Sequence, residues 1–281
     1  RGRYDVRAFF LFVSMVLRLV AIAIGAQYGV TETVVALVLA QLVATAVLSW
    51  MGVVALLRFP RVARMPLAQD RKEIVRFVLQ SSLGTGIVSV RAWIAQILLG
   101  VVNTVDQVGL FRAAQAPQQG LGSLSSPVRL ILLTDQTRQW ERGRPEAVFA
   151  GVRRYMRGAA ALMVVAVPVF WLLMPWLFDL LLPDYGDAVD AARIVLLAGA
   201  IQLVYGWSKS LPISIGRPNL RVVAHGIETV VLVPLLVVLG REWGATGAAF
   251  AVLASTLVFA VVWTVLLARI RAHPPVQVSA A

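Results

Sequence analysis

The sequence predicts an all-α polytopic membrane protein, on three observations. Eight long apolar runs alternate with short connections, positive charge collects in every second connection, and polar residues recur at helical spacing inside the runs. The runs are Ala8–Tyr28, Val34–Leu57, Ile74–Leu99, Val108–Leu133, Met156–Phe178, Ala191–Ser208, Leu220–Leu239 and Ala245–Ala268. At about 1.5 Å rise per residue, each can cross roughly 30 Å of hydrocarbon as a helix. Helix is the expected form because lipid leaves backbone N–H and C=O groups no partner outside their own segment or a closed barrel. A hydrophobic fraction of 59% and a mean hydropathy of +0.80 exclude an ordinary soluble domain.

With both ends on one side of the membrane, the connections on that side hold 20 of the 26 basic residues. The opposite side has Arg193 and Arg241 against Glu32, Asp106, Asp179, Asp184, Asp187, Asp190 and Glu242. The positive-inside rule then makes both termini cytoplasmic. The net charge of +12 faces anionic headgroups on that side, so membrane lipids rather than nucleic acid are the expected partners. The absence of cysteine excludes disulfides and thiolate chemistry, and two distant histidines, His225 and His273, offer no metal site. No cofactor is expected.

The first run carries Ser14 and Arg18 one turn apart. Arg18 lies near mid-run, where snorkelling to the surface is hardest, and is a candidate substrate-binding residue. The first two runs also resemble the last two at an offset of 215 residues. Gly25, Tyr28, Gly29, Thr31 and Ala36 fall opposite Gly240, Trp243, Gly244, Thr246 and Ala251. Either two hairpins rich in small residues agree by chance, or the chain carries a duplicated six-helix unit. Parallel duplication builds two-lobed transporters. On that reading residues 1–73 are the last two helices of an N-terminal lobe with a basic inter-lobe linker. Residues 74–271 are a six-helix C-terminal lobe, and 272–281 a cytoplasmic tail. The eight helices visible would belong to a twelve-helix, two-lobed exporter fold lacking its first four.

The third run has a mild polar stripe at Ser82, Thr85, Ser89, Ala92 and Gln96. It either lines a cavity or glues helix to helix. Arg91 is off this stripe and is open to either a substrate role or structural pairing. The fourth run is polar along one whole face, with Arg112, Gln115, Gln119, Gly122, Ser126 and Arg129 at 3-4-3-4-3 spacing. Two arginines and two glutamines need solvation, which points to a cavity, although Arg112 and Arg129 lie where they can snorkel. Pro117, Gly120 and Pro127 predict a kink or opening in this helix. The sixth run adds Gln202, Tyr205 and Lys209 at helical spacing. In the seventh, His225 and Glu228 share a face three residues apart. They either carry protons in an ion-coupled transporter or sit hydrated at the cytoplasmic mouth. Four arginines against one intramembrane acid suggest an anionic substrate, and phosphate or pyrophosphate matches the guanidinium fork.

Three stretches carry a family resemblance. Gly109-Leu110-Phe111-Arg112-Ala113-Ala114 is similar to a Gly-Leu-Tyr-x-x-Ala segment, and Leu180 to Ala188 resembles an apolar helix end with a Tyr-bearing turn. Gly244-Ala245-Thr246-Gly247-Ala248-Ala249 resembles a Gly-x-x-Gly-Ala-Ala helix opening. In this order they resemble the polysaccharide flippase family of the multidrug, oligosaccharidyl-lipid and polysaccharide exporter superfamily. Ala95 stands where members often carry Asp, and a Pro expected near Leu133-Thr134 is absent. The resemblance implies a non-enzymatic flippase of the bacterial inner membrane. It would carry an undecaprenyl-pyrophosphate-linked oligosaccharide to the outer leaflet by alternating access during O-antigen, capsule or exopolysaccharide assembly, with Arg18, Arg112 and Arg129 near the headgroup. Polysaccharide polymerase machinery is an implied partner. The alternatives are a cation-coupled multidrug exporter of the same fold, which needs acidic groups in its cavity, and a membrane enzyme of polysaccharide assembly. Such an enzyme needs catalytic groups in a large outer loop, and the longest outer connection is about Asp179–Asp190.

Overall fold

A computed structural model describes residues 4–57, 71–124 and 126–272. Among the described residues the regular structure is helical throughout. The helices are α1 (Tyr4–Gly25), α2 (Val30–Leu57), α3 (Arg71–Val102), α4 (Val105–Ala114), α5 (Ala116–Leu124), α6 (Ser126–Glu141), α7 (Pro145–Leu181), α8 (Val189–Val204), α9 (Leu211–Ser214) and α10 (Asn219–Ala272). Single 3-10 turns, Pro183–Ala188 and Gly206–Lys209, flank α8. The chain forms two compact units, Arg1–Leu67 and Ala68–Ala281. Most of the expected basic linker, at 58–70, and the tail from 273 lie outside the described residues, as do the side chains of Ala92, Ser126 and Arg129.

Four helical stretches are long and apolar enough to cross a membrane: Val30–Val54, Ile74–Val102, Pro145–Leu181 and Asn219–Ala272. The apolar part of α1, Phe12–Gly25, is shorter. The remaining runs are shorter, interrupted or merged, and the breaks have local causes. The fourth run breaks between α4 and α5. Pro117 has no N–H for the carbonyl one turn back and its ring crowds that carbonyl, so α4 closes at Gln115. The Gln115 N–H is shared between the carbonyls of Phe111 and Arg112, at 3.1 and 3.3 Å. The single stripe from Arg112 onward is therefore interrupted between α4 and α5. Likewise α8 ends at Val204 and continues as a 3-10 turn, so Gln202, Tyr205 and Lys209 do not share one α-helical face.

The seventh and eighth runs join in α10, which is two arms rather than one rod. Trp243 (φ −122°, ψ 15°) and Gly244 (φ 53°, ψ −130°) leave helical geometry and divide it into 219–242 and 245–272. Only glycine adopts such a positive φ with extended ψ cheaply. Side chains from the α3–α4 junction hold this turn: Asn103 Nδ2 donates to the Gly240 carbonyl, and the Ala245 N–H donates to Gln107 Oε1, both at 2.8 Å. They satisfy a terminal carbonyl of one arm and a terminal donor of the next. In the other unit, α1 and α2 form a hairpin that turns through Gly29 at φ +132°. Gly29 and Gly244 are the counterparts at the 215-residue offset, so both hairpins turn on a positive-φ glycine at the same place in the proposed repeat.

In the C-terminal unit α8 is the hub, with Ala191, Ala192, Val195, Ala198 and Gly199 buried on it and α4, α5, α7 and α10 packed around it. Its small residues let these helices approach closely, the packing that apolar surroundings favour when hydrophobic burial drives nothing. Two apolar clusters result. One contains Leu99, Phe111, Met174, Phe178 and Leu236, and the other Val152, Trp207, Leu211, Phe259 and Trp263.

Replacing Gly244 by Ala puts Cβ against Gln107 and forces a rare dihedral, so it should cost about 1–3 kcal/mol. Gly226→Ala, on the first arm of α10 with nothing near its Cβ position, should be neutral or stabilise by up to about 1 kcal/mol. Thermal unfolding of the purified protein in detergent distinguishes the two.

Candidate functional site

Polar residues collect between the two apolar clusters. On the first arm of α10, His225 and Glu228 lie between Ala224 of one cluster and Leu232 of the other. On α8, Gln202 lies between Ala200 and the Trp207 that follows; on the second arm of α10, Ser255 and Thr256 lie between Val252 and Phe259. Arg91 is one turn before Ala95 on α3. The result is a polar layer crossing the bundle.

Its centre is a buried charge cluster. The Arg91 guanidinium donates through Nη1 to Glu228 Oε1, and His225 Nδ1 lies 2.9 Å from Glu228 Oε2. An ionised carboxylate only accepts, so the His225 Nδ1 carries the proton of that bond. Glu228 is 1% exposed and His225 3%, and the His225 ring stacks on Phe259 at 5.0 Å with 23° between planes. One carboxylate thus holds two donors from two helices, binding α3 to α10. A cavity of about 20 Å³ adjoins the cluster, bordered by Arg91, Gln202, Ser208, Lys209, His225 and Phe259. That is the space of about one water molecule. Arg91 Nε, Ser208 Oγ and His225 Nε2 are buried there without a partner among the described residues. Beyond Gln202, amides extend the layer: Gln118 Nε2 donates to Gln202 Oε1 at 3.2 Å, and Gln202 Nε2 to Thr256 Oγ1 at 3.3 Å.

A second polar region lies on the outside of this unit, where α3 meets α4 and α5. Ser82, Thr85 and Ser89 are exposed on α3, and Arg112 and Gln119 on α4 and α5. Gln96 Nε2 donates to Gln115 Oε1 at 2.8 Å, joining the two stripes, and Arg112 lies over the Trp93 ring at 5.8 Å. The hydroxyls partly silence themselves, since Thr85 donates to the Ser81 carbonyl and Ser89 to the Thr85 carbonyl. Amides and guanidinium cannot do so. No described residue accepts from Gln119 or forms an ion pair with Arg112.

The expected site residues therefore separate into groups. Arg112 and Gln119 are exposed on this face, and Gln96 and Gln115 are half-buried beside them. Arg91, His225 and Glu228 form the buried cluster, in which Arg91 is paired with Glu228 and both His225 and Glu228 are buried. Arg18 is exposed on α1 in the other unit, and the side chains of Ser126 and Arg129 lie outside the described residues. The sequence reading passed over Gln118, Thr256, Ser208 and Phe259. Gln118 is off the stripe of the fourth run, and Phe259 carries no polar signal; Thr256 was legible as a polar residue one helical turn before it.

Against models of protein families, curated proteins and solved structures, the chain has no match.

Glu228→Gln leaves the Arg91 charge buried without compensation and should cost about 3–5 kcal/mol of stability. Replacing both together, Arg91→Met with Glu228→Gln, should recover most of that loss. A double-mutant cycle on thermal unfolding in detergent reads the difference; additive single effects would show that the pair does not couple.

Proposed function

We propose that this chain is part of a membrane transporter that flips an undecaprenyl-pyrophosphate-linked oligosaccharide across the bacterial inner membrane by alternating access, for surface polysaccharide biosynthesis. The observation that carries the reading is the face on which Arg112 and Gln119 are exposed beside the half-buried, mutually bonded Gln96 and Gln115, on an otherwise apolar bundle. Amide and guanidinium donors turned to hydrocarbon would each cost several kcal/mol, so such a face is built to border water. A sugar diphosphate needs that water-lined route, because its hydroxyls and charges cannot be shed in lipid. Arg112 supplies a guanidinium for the diphosphate, with Arg18 and Arg129 as further donors.

On this reading α1, α2, α3, the broken α4–α6 segment, α7, α8 and the two arms of α10 are eight crossings of a twelve-helix exporter, with both ends cytoplasmic. His225 is the proton site of the coupling cycle, since its Nε2 borders the small cavity while Glu228 holds its Nδ1. No bond of the substrate is made or broken.

The test is complementation of a flippase-deficient bacterium by the full-length protein, scored by surface polysaccharide at matched protein level. The wild type should restore polysaccharide, and Arg112→Ala should reduce it about tenfold, the loss expected for one charged hydrogen bond. Restoration by Arg112→Ala at wild-type level removes Arg112 from the route. A wild type that gives drug tolerance and no polysaccharide replaces the flippase reading with the multidrug exporter.

A further inference from the structure

A groove of about 500 Å³ runs between α6 and α7. Val128, Leu132 and Asp135 stand on one face of α6, at helical spacing, and form one wall. The facing wall of α7 contains Gly151 and Gly158, two turns apart, with Arg154 between them and Leu162 one turn beyond. Paired glycines on an apolar helix usually admit a close neighbouring helix. These do not: a Cβ at either position would meet no atom within 4 Å. Glycine disfavours the helix interior, so two on one face that touch nothing keep space open.

The groove has a polar end. The α6 and α7 helices are antiparallel across the turn at 142–144, which places Asp135 and Arg154 toward the turn and Val128 and Leu162 away from it. Both charged residues are exposed, and the ion pairs among the described residues lie elsewhere. An apolar slot that ends in one carboxylate and one guanidinium has the polarity of an amphiphile with a zwitterionic head. A methylene takes about the volume of a liquid water molecule, roughly 30 Å³, so the groove has room for one acyl chain of roughly sixteen carbons. It is much too small for a long polyprenyl tail.

We propose that this groove binds one molecule of a bilayer phospholipid whose head carries a phosphate and a primary ammonium, with one acyl chain along the glycine-lined wall, the phosphate at Arg154 and the ammonium at Asp135. A purely anionic head brings no cation to Asp135, and a quaternary ammonium offers it no hydrogen bond. Arg153 and Arg157, exposed on α7 beside Arg154, favour the phosphate end. The site is independent of what the protein transports, and its failure would leave the transport reading untouched.

The experiment is native mass spectrometry of the full-length protein titrated in detergent with phosphatidylethanolamine, phosphatidylglycerol or phosphatidylcholine. One phosphatidylethanolamine should bind about tenfold more tightly than either other lipid. Gly151→Leu with Gly158→Leu should abolish that event, and Asp135→Asn should erase the preference over phosphatidylglycerol while retaining binding. Thermal unfolding without added lipid checks that the variants are folded. Should the double leucine variant not fold, Asp135→Asn and Arg154→Ala carry the test alone. Equal binding of the three lipids by the wild type, or binding unchanged by the groove-filling or head-site variants, overturns the proposal.

Discussion

Hydrocarbon accepts no hydrogen bond and donates none, and this constraint arranges the whole chain. A polar side chain in an apolar helix has three outcomes: it finds a partner inside the bundle, it bonds its own helix, or it borders water. The C-terminal unit uses all three. Arg91, Glu228 and His225 are paired inside it; Thr85 and Ser89 return their hydroxyls to carbonyls of α3; Arg112 and Gln119 remain on an exposed face.

Pairing has consequences for packing. The Glu228 carboxylate needs both of its donors at once, so α3 and the first arm of α10 cannot slide past each other without exposing a charge to an apolar cluster on either side. The layer is also the place where α8 stops being helical, since Gln202 near its end is held by Gln118 and Thr256, and Tyr155 donates to the Leu203 carbonyl at 2.7 Å. Rigid apolar packing above and below with a small polar cavity between them is the arrangement in which a single proton, added or removed at His225, changes the balance of charge. Ion coupling in the transport proposal rests on that geometry.

Much of this organisation was legible in the residues. Apolar run length marks where helices lie, Pro117 marks where the fourth run breaks, and the 215-residue offset pairs Gly29 with Gly244, both at positive φ. Polar spacing also found Arg112, Gln115 and Gln119. What spacing could not supply was the partner across helices. Arg91 lies off every stripe because it faces α10 rather than the polar side of α3, and nothing local distinguishes an arginine that meets a carboxylate from one that meets a substrate. The end of α8 was missed for the same reason: Gln202, Tyr205 and Lys209 fit a helical period, yet hydrogen bonds to other helices set the backbone there.

The central claim is that the face of α3, α4 and α5 borders water while the exposed faces of α7 border lipid. The chain has no cysteine, so single cysteines can be introduced without background. In intact membranes, cysteines at Ser82, Thr85 and Gln119 should react with a water-soluble, membrane-impermeant maleimide. Cysteines at Val164 and Leu172, 73% and 77% exposed on α7, should not. Equal protection at all five positions would place the polar face in hydrocarbon or in a dry contact, and would contradict the account.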